Sequence, residues 1–178
     1  MANYLYVDNS NVWIEGMHVA AVRAGLVPDI WAAQTERVTA PFRVDFGRLH
    51  EFAGGEEQEL GRAVLYGSRP PANDSLWAVA RKRGFEPVVF ERNAANREKK
   101  IDTQITADIV QDLFTVISPD ADEVTLVAGD RDFVPAVEKV RGRGVRFHVV
   151  FWSHAARELR EAADSFVDLD PYFEYLKM

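Results

Sequence analysis

Five short apolar, β-rich runs set the limits on what this chain can become: Tyr4 to Val7, Ala63 to Tyr66, Pro87 to Phe90, Val124 to Val127 and Phe147 to Phe151. Most are continuously apolar instead of alternating in polarity, the pattern of strands covered on both faces. Helical patterns lie between them, at Asp74 to Arg83, Ile101 to Ile117, Phe133 to Arg141 and His154 to Ala163, with Gly84 and Gly142 as stop signals for two of these. This alternation predicts an α/β fold with a mostly parallel central sheet and helices on both faces. At 178 residues the expectation is one domain spanning 1–178. The stretch from about 25 to 60 fits less well, because Pro28, Pro41, Gly47, Gly54 and Gly55 interrupt it. It reads as an irregular excursion with one short helix near Asp45 to Phe52, and no repeat or low-complexity tract is present.

Composition removes several chemistries. There are no cysteines, which excludes disulfides, thiolate zinc sites and Cys nucleophiles together, so any metal is oxygen-ligated or His-bound. The opening MANYLYVDNSNVW lacks a basic n-region and already carries Asp8, and no apolar run nears the roughly 18 residues of a membrane span. The expectation is a soluble, cytoplasmic protein with no membrane partner. Net charge is −7, which argues against coating nucleic acid by charge alone. The charge is unevenly spread, however: residues 61–100 carry nine basic and four acidic residues, while both flanks are acidic. That segment (Arg62, Arg69, Arg81, Lys82, Arg83, Arg92, Arg97, Lys99, Lys100) is either an ordinary solvated face or a surface for a phosphate backbone.

Asp8 closes the first apolar run and Asp130 follows the fourth, so both fall at carboxyl ends of strands, where open α/β sheets bind ligands. Either Asp alone reads equally as a helix cap. Together, and with Asp132 added, they read as a site, because crowded carboxylates require a proton or a cation between them. On the helix from Ile101, the residues Ile105, Ile109, Leu113 and Val116 form one stripe. Asp102 falls within that arc, Asp112 lies at its edge and Asp108 further out. Asp102 therefore faces inward and needs a cation, a lysine (Lys99 or Lys100) or a capping role, while Asp108, about 9 Å further along, reads as a supporting residue. The four histidines show no metal-ligand spacing, and His148 inside an apolar strand reads as a packed residue. No phosphate-cradling glycine loop is present. Trp13 and Trp152, beside strand ends, read as packing residues or as base-stacking surfaces.

Val-Asp-Asn-Ser-Asn (Val7 to Asn11), Lys-Lys-Ile-Asp (Lys99 to Asp102) followed by Asp108, Ala-Gly-Asp-Arg-Asp-Phe (Ala128 to Phe133) and Ala-Asp-Ser-Phe-Val-Asp-Leu (Ala163 to Leu169), in this order and spacing, resemble the NYN domain family. This is the PIN-like nuclease group that includes LabA-type bacterial proteins. The resemblance covers most of the chain outside about 25–60. It implies a PIN-like three-layer α/β/α sandwich and Mg²⁺- or Mn²⁺-dependent cleavage of RNA, with Asp8, Asp102, Asp130 and Asp132 as catalytic metal ligands. Asn11 would support them by the same resemblance. Asp108 as a supporting residue follows instead from its helical spacing, and Arg97, Lys99 and Lys100 as an RNA-guiding surface from the basic segment, with Arg131 a further candidate RNA contact. Two positions depart from the family pattern: Asn9 stands where a small Gly is usual, and Arg131 where Ser or another small residue is common. Arg131 either binds a substrate phosphate or competes with the cation. Two rival readings stay open, a catalytically inactive RNA- or protein-binding module and a metal-dependent phosphohydrolase. The second is disfavoured, because Ser10 stands where that chemistry uses a second Asp. A protein partner or homo-oligomer is left open.

Overall fold

A computed structural model describes residues 1–55, 59–69, 75–91 and 97–178. Its centre is a six-stranded sheet in the order β3-β2-β1-β4-β5-β6, with every pairing parallel. The strands are β1 (Ala2–Asp8), β2 (Glu59–Arg69), β3 (Glu86–Glu91), β4 (Glu123–Val127), β5 (Arg146–Phe151) and β6 (Ser165–Asp168). The helices are α1 (Asn9–Arg23), α2 (Ile30–Glu36), α3 (Phe46–Gly54), α4 (Ser75–Lys82), α5 (Arg97–Thr115), α6 (Val134–Gly142), α7 (Arg157–Ala162) and α8 (Phe173–Leu176). Strand order runs outward in one direction from β1 and in the other from β4. The boundary between β1 and β4 is therefore the topological switch point, where connections leave toward opposite sides, the position at which open α/β sheets bind ligands. No described helix is long and apolar enough to cross a membrane.

The pleat of β1 sorts the core into two layers. Leu5 and Val7 enter a cluster with Val12 and Val19 of α1, Leu49 of α3, Trp77 of α4 and Phe173 of α8. Tyr4 and Tyr6 enter the opposite cluster, with Ile101, Ile105, Ile109 and Leu113 of α5, Val137 of α6 and Leu159 of α7. This is the α/β/α sandwich that the alternation of apolar runs and helical patterns predicts, and all five runs lie within strands.

Several local expectations need correction. A sixth strand, β6, lies in the late Ser-Phe-Val-Asp motif; as an edge strand with Ser165 and Val167 exposed it offers no continuous apolar run to read. The stretch from 25 to 60 holds the expected short helix, α3, capped by Asp45, but also α2, capped by Asp29, whose buried face is only Ala32 and Ala33. Helix α1 passes over Phe42 at Gly16, where a Cβ would stand 2.5 Å from the ring, so close packing explains the mid-helix glycine. Gly142 lies inside α6, and the left-handed turn that leads into β5 falls at Gly144 (φ +80°). In α5 the stripe ends differently from the reading: Val116 is exposed just past the helix end, and Ile117 turns inward instead.

The largest departure concerns the carboxylates of α5. Asp112, placed at the edge of the stripe by periodicity, is buried, whereas Asp102 is half-buried. The Tyr6 hydroxyl donates to Asp112 at 2.6 Å and Arg62 donates to it at 2.8 Å, while the same guanidinium forks onto Glu86 at 3.1 Å. One strand over, the Tyr66 hydroxyl donates to Asp108 at 2.7 Å, and Tyr4 donates to the Val116 carbonyl at 3.1 Å. Burial, followed by the carboxylate acceptor, drives both the Tyr6 and Tyr66 hydroxyls far above the ordinary tyrosine range, so they remain donors at any physiological pH. Asp112→Ala is expected to lower unfolding free energy by about 2–3 kcal/mol, because Tyr6 loses its buried acceptor and Arg62 one of its two carboxylates. Urea unfolding of the variant beside the unaltered chain measures this, and an effect below about 0.5 kcal/mol would remove Asp112 as an anchor of α5.

Candidate metal centre

The site is assembled from turns at the switch point. Asp8 ends β1, is buried, and accepts the Asn11 N–H at 3.0 Å, so it does cap α1. In the pleat it is in phase with Tyr4 and Tyr6, the side of the sheet that α5 covers. Asn11 then reaches across to the neighbouring strand end, where its side-chain oxygen accepts the Gly129 N–H at 3.1 Å. A Cβ on Gly129 would stand 2.3 Å from the Phe151 ring, so only glycine lets the chain pass here. The Gly129 carbonyl accepts from the Ala156 N–H at 2.8 Å. One residue later, Asp130 accepts the Asp132 N–H at 2.9 Å and caps a 3₁₀ turn over Arg131–Phe133. This turn presents both carboxylates toward the second turn of α5, a helix that begins at Arg97 and not near Ile101, so Asp102 is not its cap.

There Asp102 meets them. One carboxylate oxygen from each of Asp102, Asp130 and Asp132 lies within 4.8 Å of the others, the group among the described residues with the ligand types and spacing to hold a metal ion. Oxygens that share a six-coordinate cation at about 2.1 Å lie about 3–4 Å apart, so the three need only a small inward movement to do so. The donor set is all carboxylate, which selects a hard cation such as Mg²⁺ or Mn²⁺. Carboxylates brought this close favour positive charge beside them.

The other expected residues divide. Asp8 stands at the adjacent strand end but outside the 4.8 Å group. Asn11 joins the two strand ends through Gly129, and Asp108 is tied into the fold by Tyr66 and by Gln104 at 2.8 Å. Arg131 and Lys100 are exposed, the first on the turn between Asp130 and Asp132 and the second in the first turn of α5. The side chains of Arg97 and Lys99, like Arg92, lie outside the described residues. Arg62, part of the basic segment, is committed to Asp112 and Glu86. Asp168, the last acidic residue of the late motif, ends β6 and accepts the Asp170 N–H at 2.8 Å; burial pushes its carboxyl up. Trp152 is fully buried and donates to the Val12 carbonyl, a packing role, while half-exposed Trp13 donates to the Phe42 carbonyl. His148 is only partly buried and stands between Glu123 and Ser165. Ala156 was invisible to sequence reasoning because it acts through its main chain.

Asp132→Asn should weaken Mn²⁺ binding about tenfold or more while the metal-free protein keeps its melting temperature. Thermal denaturation with and without Mn²⁺ reads both effects. A metal-free melting temperature that falls, with Mn²⁺ stabilisation unchanged, would contradict a shared cation site.

The NYN domain family model matches residues 31–170. The low amplitude and bright protein LabA of Synechococcus elongatus is 30% identical over 139 residues, covering 72% of this chain and 73% of that protein. A crystal structure of a protein of unknown function from Vibrio parahaemolyticus shares the fold, with a TM-score of 0.70 at 22% identity, over 99% of this chain and 96% of its own. With the parallel sheet, the strand-end carboxylates and these matches in place, the chain belongs to the NYN domain family of PIN-like nucleases.

Proposed function

We propose that the protein is a divalent-metal-dependent ribonuclease that hydrolyses RNA phosphodiesters at the carboxyl edge of the sheet. The observation that carries this reading is the convergence of Asp102 with Asp130 and Asp132, brought from two separate segments to the switch point of a PIN-like fold. Asp102, Asp130 and Asp132 would hold Mg²⁺ or Mn²⁺, with Asp8 at the neighbouring strand end as a further or water-mediated ligand. Bound there, the cation supplies charge neutralisation at the phosphodiester and acidifies a water. The chain's own residues then have defined tasks. The turn after β4 and the second turn of α5 fix the carboxylates, so little reorganisation accompanies the reaction. Arg131, exposed on the turn between Asp130 and Asp132, and Lys100, exposed two residues before Asp102, would attract the phosphates of the strand. The family membership supports RNA as the substrate class, and the absence of cysteine fits hydrolysis by water.

Two measurements test this reading. Single-stranded RNA incubated with the protein and Mn²⁺ should be cut, and Asp130→Asn should abolish cutting while RNA binding and the melting temperature persist. RNA and Mn²⁺ binding with no cutting in the unaltered chain would instead favour the inactive binding module. Separately, Lys100→Gln and Arg131→Gln should each reduce the slope of log affinity for RNA against log salt by about 0.7. An unaltered slope in both would remove these two side chains from the RNA path.

A further inference from the structure

Helix α1 carries Glu15 and His18 three residues apart, and His154 follows β5 far along the sequence, a spacing with no recognisable motif. The fold brings all three together. One oxygen of the Glu15 carboxylate, Oε2, accepts from His154 Nε2 at 2.7 Å, from His18 Nδ1 at 3.2 Å and from the Gln34 amide of α2 at 3.0 Å. All three ionisable side chains are largely buried, with 11–16% of their surface exposed. Burial alone would raise the Glu15 carboxyl, but its donors, His154 first, outweigh burial and hold it below the usual range. The carboxylate is thus a shared acceptor placed between two imidazoles.

The position of His154 gives this hub its consequence. The segment 152–156 is attached on three sides. Trp152 donates to the Val12 carbonyl of α1 at 3.1 Å, Ser153 donates through its N–H and hydroxyl to Asp170, and Ala156 donates to the Gly129 carbonyl at 2.8 Å. Gly129 directly precedes Asp130 and is held on its other side by Asn11 of α1. A closed path therefore runs from Glu15 through His154 and Ala156 to Gly129, and back through Asn11 to the helix that bears Glu15. His18 bonds the same carboxylate but lies on α1 itself, so it adds nothing to this path beyond the helix.

We propose that Glu15 and His154 are positioning residues for the candidate cation site: their bond holds the 152–156 segment against α1, and that segment fixes the Gly129 main chain from which Asp130 and Asp132 are presented. The inference rests on the ribonuclease reading only in that Asp130 and Asp132 hold a cation. Groups that orient metal ligands from outside commonly change affinity by about 10–100-fold when removed.

The test is Mn²⁺ affinity, measured by calorimetric titration of the full chain without RNA, with near-ultraviolet circular dichroism to verify the fold. His154→Ala and Glu15→Ala should each weaken Mn²⁺ binding about tenfold, and the double variant should be no weaker than either single one, as expected for residues acting as a unit. His154→Gln, which retains a donor able to reach Glu15, should restore most of the affinity and stands in if His154→Ala does not fold. His18→Ala should leave Mn²⁺ affinity unchanged even where it lowers the melting temperature. Unchanged affinity in His154→Ala, or equal losses in His18→Ala and His154→Ala, would overturn the positioning role and leave the hub as a stability feature only. Failure of the unaltered chain to bind Mn²⁺ would overturn the cation reading itself, and this inference with it.

Discussion

Both main-chain polar groups of Gly129 are committed to neighbours outside β4, and the carboxyl edge of the sheet depends on that arrangement. Its N–H is taken by Asn11 of α1 and its carbonyl by Ala156 in the segment after β5. The chain there is pinned from both sides, with Phe151 packed where a side chain would be. Three carboxylates within a few ångströms repel each other, and a flexible loop would relieve that repulsion by moving apart. A pinned backbone limits that movement and keeps the turn that carries Asp130 and Asp132 beside Asp102.

The opposite wall of the site is secured by different chemistry. Helix α5 buries an isoleucine stripe, but it is also fastened by hydroxyls from β1 and β2: Tyr6 on Asp112, Tyr66 on Asp108 and Tyr4 on the Val116 carbonyl. Apolar packing leaves a helix some freedom to slide, whereas buried hydrogen bonds fix its register because a displaced partner is left unsatisfied. Registering α5 against β1 also registers Asp102 against the strand end that bears Asp8. Among the described acidic side chains of α5, Asp108 and Asp112 thus serve attachment, and Asp102 is the one brought to Asp130 and Asp132.

The same residue types carry opposite roles elsewhere. Arg62, counted among the basic residues of 61–100, is held by Glu86 and Asp112, and Glu86 is shifted below the ordinary range by that guanidinium despite burial acting the other way. Arg131 and Lys100 remain exposed at the surface. Charge along the sequence therefore marks a region, while burial and pairing decide which cations face solvent.

The fold class was legible because a strand buried on both faces needs a continuous apolar run, and five such runs separated by helical periodicities admit few alternatives. Asp8, Asp130 and Asp132 were legible for a related reason: carboxylates just after apolar runs must lie at the strand ends of a parallel sheet. Edge strand β6 and the two-alanine face of α2 escaped notice, because half-exposed or very short elements leave little trace in hydropathy. Tertiary structure alone decided that Asp112 is buried, since its depth is set by Tyr6 and Arg62 and not by the angle it makes on an isolated helix. It alone joined Glu15 to His154, 139 residues apart, and Gly129 to Ala156 through main-chain atoms that carry no side-chain signature. Sequence periodicity reports which face of an element is apolar, whereas partners brought together by chain crossing depend on the geometry of the whole sheet.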